Sequence, residues 1–333
     1  MNHTGSLSHS DGFVLKPQSA SNLIRHTEPL KWLVEDVLPL GRCLMLTAPS
    51  GVGKSWVSLD LAISVDQGEH WLGHFPCQQG KVLVVDEENG AVGVRERLMK
   101  LLKGRRIGVD QCNIEFITLS GLSLSNPSHV TEMSRILSDI RPSLVVLDTL
   151  IRIHQVEESS ASEMAKVDRI FKNWYVKYGC ALCINHHTRK PSISGHSAQH
   201  GFRGSSEIQA FVDSHIDLSA KEQGKLTAYH AKARFAKAVD TFGISIEDVD
   251  EESVVIKYTE PPQKTKKIES VRESILGLIK SDDWVPRTDI IDSLDYGKNA
   301  IDPALKSLVD DGFLEKETQG NKVLFRLKSS SSL

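Results

Sequence analysis

Two stretches carry residue types spaced for chemistry. Ala48-Pro49-Ser50-Gly51-Val52-Gly53-Lys54-Ser55 follows an apolar run and precedes a helical pattern, the context that a phosphate-cradling loop requires. Gly51 and Gly53 let consecutive backbone N–H groups converge on a phosphate at a helix N-terminus. Lys54 supplies a point charge to the outer phosphates, and Ser55 offers its hydroxyl to Mg²⁺. Ala48 stands where the strict pattern has glycine, a position that shapes the entry to the loop, and Trp56 follows on the helix. ATP is therefore expected on Ala48 through Trp56. The second stretch is acidic. Leu144-Val145-Val146-Leu147-Asp148 ends an apolar strand in a carboxylate suited to Mg²⁺, so Ser55 and Asp148 are the expected metal ligands. Val82-Leu83-Val84-Val85-Asp86-Glu87-Glu88 puts three acids where another apolar strand emerges, and one of them should orient the attacking water.

Further polar clusters lie downstream. Asn185-His186-His187-Thr188-Arg189-Lys190 closes an apolar strand, and the small polar stretch from 191 to 200 leads to Gly201-Phe202-Arg203-Gly204. His186, His187, His196 and His200 have no cysteine or acid at fixed ligand spacing, which argues against a metal site. A long loop in a compact domain is functional or disordered, and this one follows a candidate phosphate-sensing position. Lys232 and Arg234, two residues apart on a late strand, point to the same side and can reach one phosphate together.

The elements that must position these groups follow from hydrophobic patterning. Apolar strand-like runs at 43–46, 81–86, 114–118, 143–148 and 180–185 alternate with helical patterns near 54–67, 92–102, 129–140 and 161–178. Such alternation predicts an α/β fold with a mostly parallel central sheet and crossover helices. After Gly204 the pattern changes to short runs at 214–218, 225–231, 242–247 and 253–258, expected to extend the sheet as antiparallel strands.

Composition bounds the reading. The chain has 333 residues, 40% hydrophobic and 25% charged, which suits about two domains and excludes wholesale disorder. No apolar run approaches the length of a membrane span, and the polar start lacks the features of a signal peptide, so a cytoplasmic protein is expected. The five cysteines are odd in number and scattered; Cys180 and Cys183 have CxxC spacing but lie in an apolar run, and read as buried strand residues. The formal net charge of −3 confines any nucleic-acid contact to a local surface.

Taken together, the arrangement over residues 29–260 resembles the RecA-like P-loop ATPases, in particular the RepA-type hexameric helicase branch of plasmids and phages. The resemblance places the catalytic glutamate on Glu88, with Glu87 the alternative if a one-residue bulge exchanges them. It implies that a polar residue at the end of the HHTRK-bearing strand senses the γ-phosphate, His186 first by position and His187 next. It assigns Arg189, Lys190 and Arg203 to a loop that contacts single-stranded DNA or a neighbouring subunit. Lys232 and Arg234 resemble the pair that such rings insert into the adjacent subunit's nucleotide site. The function implied is an ATP-hydrolysing hexameric ring, a DNA helicase or translocase serving replication or mobilisation of a genetic element, with a possible replication or mobile-element protein partner.

The expected organisation is a flexible tail over 1–28, a core over 29–260, a Pro- and Lys-rich linker over 261–267, a small domain over 268–328 and a tail over 329–333. Three helical patterns followed by a hairpin in the small domain resemble a winged helix-turn-helix. Residues 261–333 carry twelve basic and twelve acidic residues, short of the basic footprint of a strong DNA binder, so DNA contact and protein docking both stay open. Two rival functions use the same loop: a non-translocating assembly or recombination switch, and a small-molecule kinase, which has no use for Lys232 and Arg234 or for the HHTRK stretch.

Overall fold

The computed structural model describes residues 16–156, 158, 160–187, 211–260, 264–279, 283–320 and 322–328. A small hairpin of β1 (Trp32–Val34) and β2 (Leu38–Pro39) leads into β3 (Cys43–Ala48). Then follow α2 (Lys54–Gln67), β4 (Val82–Asp86), α3 (Gly90–Arg105), β5 (Glu115–Thr118), α4 (Pro127–Ile140), β6 (Leu144–Asp148), α5 (Ala161–Tyr178) and β7 (Ala181–His187). Four strands complete the series: β8 (Ser214–Glu222), β9 (Lys225–Ala233), β10 (Phe242–Asp250) and β11 (Ser253–Thr259).

These strands form one nine-stranded sheet in the order β11-β10-β9-β8-β3-β7-β6-β4-β5. The six strands from β8 to β5 are parallel, and β9, β10 and β11 run antiparallel beyond them. Central parallel strands are covered on both faces, which is why β3, β4 and β6 are buried throughout and read as unbroken apolar runs. Successive side chains alternate between faces. Leu44, Leu46, Ala181 and Cys183 join the core under α2 and α3, whereas Met45, Leu182 and Ile184 join the core under α4 and α5.

Local contacts fix helices in each layer. Arg105 near the end of α3 reaches across to the fully buried Asp60 of α2 at 2.5 Å, fixing the helix that carries Lys54. Asn126 caps α4 by accepting the Ser128 N–H at 3.0 Å, with Pro127 in the first turn, where its missing N–H costs nothing.

The C-terminal residues build α6 (Lys264–Leu278), β12 (Val285–Pro286), α7 (Arg287–Ser293), α8 (Lys298–Asp310), β13 (Leu314–Gln319) and β14 (Lys322–Leu327). Their three strands pair in the order β12-β14-β13, and they share an apolar cluster of their own that includes Val271, Ile275, Ile290, Leu305, Leu308 and Phe325.

One boundary, that of the linker, needs correction, and the described part of the expected tail holds one element. The tail expected over 1–28 contains a helix, α1 (Ala20–His26), whose cap Ser19 accepts the Asn22 N–H at 3.2 Å; it buries none of its residues. The linker expected over 261–267 gives way to α6 at Lys264, because prolines are tolerated just before and within a helix's first turn and so announce a helix as readily as they end one. Cys43, Cys180 and Cys183 are buried, all five cysteines are free thiols, and burial pushes the thiols of these three upward. Among the described residues no helix is long and apolar enough to cross a membrane, and no group of three or more His, Cys, Asp or Glu could hold a metal ion.

Candidate nucleotide site

β3 ends at Ala48, and α2 begins at Lys54 after a loop in which Gly51 and Gly53 take φ of +81° and +115°. Gly53 is the cap of α2 and offers no side chain to its first-turn N–H groups. A β-carbon there would meet Ile246 Cδ1 at 2.8 Å and strain the left-handed backbone as well, so glycine is required twice over. The open first turn points its N–H groups and the positive end of the helix at whatever sits in the loop.

Lys54 is only 6% exposed. Its ammonium donates to Ala48 O at 2.9 Å and Pro49 O at 3.3 Å and meets His187 Nδ1 at 3.1 Å. Burial lowers its pKa, opposed by the negative charges of Asp148 and Glu88. An ammonium has only hydrogens to give, so His187 Nδ1 accepts, and the ring hydrogen lies on Nε2. That nitrogen stands 3.5 Å from Glu88 Oε2. Lys54, His187 and Glu88, from three separate elements, thus form one polar row beside the glycine loop.

Asp148 closes the site from β6. It is 4% exposed, and burial raises its pKa; hydrogen bonds from Ser55 and Asn185 pull it down, and the nearby Asp86 and Glu88 push it up again. The buried Asp148 carboxylate and the Ser55 hydroxyl bonded to it offer two oxygen ligands of the kind that Mg²⁺ takes beside a nucleotide's phosphates. A buried lysine held by neutral acceptors under an uncapped helix end fits a polyphosphate. The residues present therefore suit both ATP and Mg²⁺.

The three acids after β4 separate cleanly. Asp86 accepts the N–H groups of Glu88 (3.1 Å), Asn89 (2.6 Å) and Gly90 (3.0 Å), so it caps the turn into α3. Glu87 turns away toward the loop after β5, accepting the N–H groups of Ser120 and Gly121 at 3.1 Å and of Leu122 at 3.2 Å. Glu88 alone faces His187 and the phosphate loop.

Of the two histidines, the structure brings His187 and not His186 to the phosphate loop's lysine. His186, placed first by position, is fully buried on the opposite face of β7 with its Nδ1 3.7 Å from Glu158 Oε1, whereas His187 reaches Lys54. The reason is strand parity: residues two apart share a face, and Asn185 and His187 both look toward α2. Asn185, unremarked in the sequence, donates to Ser58 Oγ at 2.9 Å and bonds to Asp148. Its spacing from His187 was the available signal. Arg97 also went unnoticed; it lines a cavity of about 20 Å³ with Ser55, Asp86 and Asp148, and its guanidinium lies 5.9 Å from the Trp56 ring centroid.

Lys232 and Arg234 are elsewhere. Arg234 donates to Asp213 Oδ1 at 2.9 Å, and Asp213 is bonded through its backbone N–H to Cys43 O at 3.0 Å, the start of β3. The phosphate loop leaves the other end of β3, about 17 Å away at the usual rise per strand residue. Arg189, Lys190 and Arg203, and with them His196 and His200, lie outside the described residues.

Residues 10–192 match the model of a protein family described as the AAA domain. Among solved structures, the crystal structure of the RadB recombinase matches with a TM-score of 0.47 at 15% identity, covering 65% of this chain and 91% of that one. With the family match spanning more than half of the 333 residues and a phosphate loop, a buried lysine and a strand-end aspartate assembled within it, the chain belongs to the AAA domain family and is a P-loop ATPase.

Proposed function

We propose that the chain is a RecA-like, ring-forming ATP-driven motor of the RepA-type branch, a DNA helicase or translocase that moves on single-stranded DNA in replication or mobilisation of a genetic element. The observation that carries this reading is the separation of Arg234 from Lys54 along β3. A cation that far from its own phosphate loop serves hydrolysis only in another copy, and a repeated head-to-tail contact gives a ring where its rotation closes and an open filament where it does not; the ring is the form proposed. A hexamer is the expected closure.

Within one site, Lys54 and the first-turn N–H groups of α2 bind the outer phosphates. Ser55 and Asp148 would hold Mg²⁺, which when bound neutralises phosphate charge. Glu88 accepts the proton of the attacking water, and His187 holds that carboxylate in register with Lys54. Arg234 and Lys232 of the next copy supply charge at the transferring phosphoryl group. His187 is also the proposed γ-phosphate sensor, since it touches the lysine that must move to the nucleotide. The chain segment that follows it bears Arg189, Lys190 and Arg203, proposed to contact the DNA backbone from the ring's channel.

The C-terminal helices and three-stranded sheet are proposed to be a winged helix-turn-helix. A balanced charge on α8, with Lys298 and Lys306 against Asp302 and Asp310, favours protein docking over DNA reading for this unit. That observation keeps the assembly-switch reading in play. ATP turnover measured with and without single-stranded DNA at several salt concentrations decides between them. A motor is stimulated, increasingly so at low salt as phosphate contacts release counterions. Turnover indifferent to DNA at every salt concentration, but raised by a protein partner, would replace the motor with the switch.

A further inference from the structure

The segment that carries Arg234 is irregular yet firmly held. Residues 234–241 join β9 to β10 and contain no helix or strand. Arg234 N–H donates to Asp213 O at 2.9 Å, and its Nη1 donates to Asp213 Oδ1, also at 2.9 Å. Val239 N–H donates to His230 Nδ1 at 3.1 Å, so the hydrogen of that ring sits on Nε2, which donates to Ser214 Oγ at 2.9 Å. Between these pins the Arg42 guanidinium lies 4.7 Å from the Phe235 ring centroid. A loop fixed at three points keeps little freedom to lose when it meets a ligand.

Asp213 is the hub. It is 2% exposed, and burying a carboxylate is costly unless every lone pair it turns inward is matched. Its Oδ2 accepts the Cys43 N–H at 3.2 Å, leaving Oδ1 for Arg234. Arg234 stays 45% exposed while so held. Lys232 feels the same carboxylate, which supports its charged form against burial and against the like charge of Arg234. One buried acid therefore fixes one cation and steadies the charge of the other, and ties both to the strand that ends in the phosphate loop.

We propose that Asp213 is a positioning residue for catalysis in trans: it holds the Arg234 guanidinium in the orientation that meets the nucleotide of a neighbouring copy. The inference rests on the proposal that Arg234 acts across an interface, and goes beyond it by naming what aims the group. Preorganised charge is effective because the donor is already in place when charge develops, and a misplacement of about 1 Å costs on the order of 10²-fold in rate.

Asparagine at this position breaks the arrangement with little change of shape. Two donors, Cys43 N–H and Arg234, each need an oxygen, and an amide has only one to offer. Asp213→Asn should lower kcat for ATP about 100-fold and leave KM nearly unchanged, because the variant's own phosphate loop is intact. In the Arg234→Ala background the same change should cost nothing further, a non-additivity that a purely structural role would not produce. Asp213→Glu, which keeps the charge, should recover part of the rate and serves if the asparagine variant fails to fold.

Mixed assemblies complete the test. Lys54→Ala protein keeps Asp213 and Arg234, so mixing it with Asp213→Asn protein creates, at about one interface in four, an intact phosphate loop facing an intact, correctly held arginine. Activity should reappear, as it should when Lys54→Ala is mixed with Arg234→Ala. Recovery with Arg234→Ala but none with Asp213→Asn overturns the role given to Asp213 alone. No recovery with either, in assemblies shown to be mixed, overturns the trans reading on which it rests.

Discussion

Replacing Glu87 and Glu88 one at a time should give opposite phenotypes, although the two are neighbours of the same chemical type. Glu87 satisfies three backbone N–H groups, those of Ser120, Gly121 and Leu122, and bonds the Ser120 hydroxyl as well. The loop is exposed, so water replaces part of what Glu87→Ala removes, and the net loss comes to about 2 kcal/mol, or roughly 0.5–1 kcal/mol for each backbone bond. For a core of this size that corresponds to a fall in Tm of about 4–8 °C, with turnover retained. Glu88 has His187 as its near partner and a third of its side chain in solvent, so Glu88→Gln should change stability by no more than about 0.5 kcal/mol. It should keep ATP binding and lose turnover by about 10²- to 10⁴-fold. Thermal unfolding, equilibrium nucleotide binding and steady-state ATPase rates on the two variants read every one of these outcomes. A Glu87→Ala protein that is dead but thermally normal, beside a Glu88→Gln protein that turns over at the wild-type rate, refutes the assignment made from the direction in which each carboxylate points.

The two adjacent histidines offer a parallel contrast: His187→Ala should lower kcat with an unchanged Tm, whereas His186→Ala, buried against Glu158, should cost about 1–3 kcal/mol of stability in a chemical denaturation curve. Burial lowers the pKa of His230, which stays neutral to accept the Val239 N–H. The unfolded chain therefore takes up this proton first, so the contribution of His230 is full above its ordinary value near 6.5 and is lost as the pH falls from there toward the lower folded value. Denaturation midpoints between pH 7.5 and pH 5.5 should fall less in His230→Gln than in the wild type; equal slopes contradict the assignment. Gly53→Ala, strained by φ of +115° and by contact with Ile246, should cost about 1–3 kcal/mol and weaken nucleotide binding, read by thermal shift with and without Mg-ATP.

Much of the core was readable because its central strands are buried on both faces and its phosphate loop has a fixed spacing between strand and helix. α2 and α5 occupy 54–67 and 161–178 as predicted, and β9, β10 and β11 extend the sheet antiparallel as the turn signals imply, but β8, expected to be antiparallel as well, lies parallel beside β3 and joins the parallel set. The same double burial hid the face on which each polar residue falls. Ala181-Leu182-Cys183-Ile184 is apolar on both sides, so no alternation announces which histidine looks toward α2, and position alone put His186 ahead of His187, the one that meets Lys54. Asp86, Glu87 and Glu88 leave the strand through a tight turn whose hydrogen bonds, invisible in the sequence, send each carboxylate somewhere different. The pairing of Asp213 with Arg234 depends on the register of β8 against β9, which shifts at His215/Ile216, a detail that residue types do not encode in any legible way. The β1–β2 hairpin has strands of three and two residues, too short for a period to show.

The central claim is that each nucleotide is hydrolysed between two copies of the chain, and dilution tests it most directly. Specific ATPase activity is measured against subunit concentration, with the assembly state followed in parallel by sedimentation velocity. Because Lys54 and Arg234 lie at opposite ends of β3, turnover should fall in step with the loss of assembled protein, and the monomer should bind Mg-ATP without hydrolysing it. Full specific activity in a solution shown to contain only monomers would contradict the shared site.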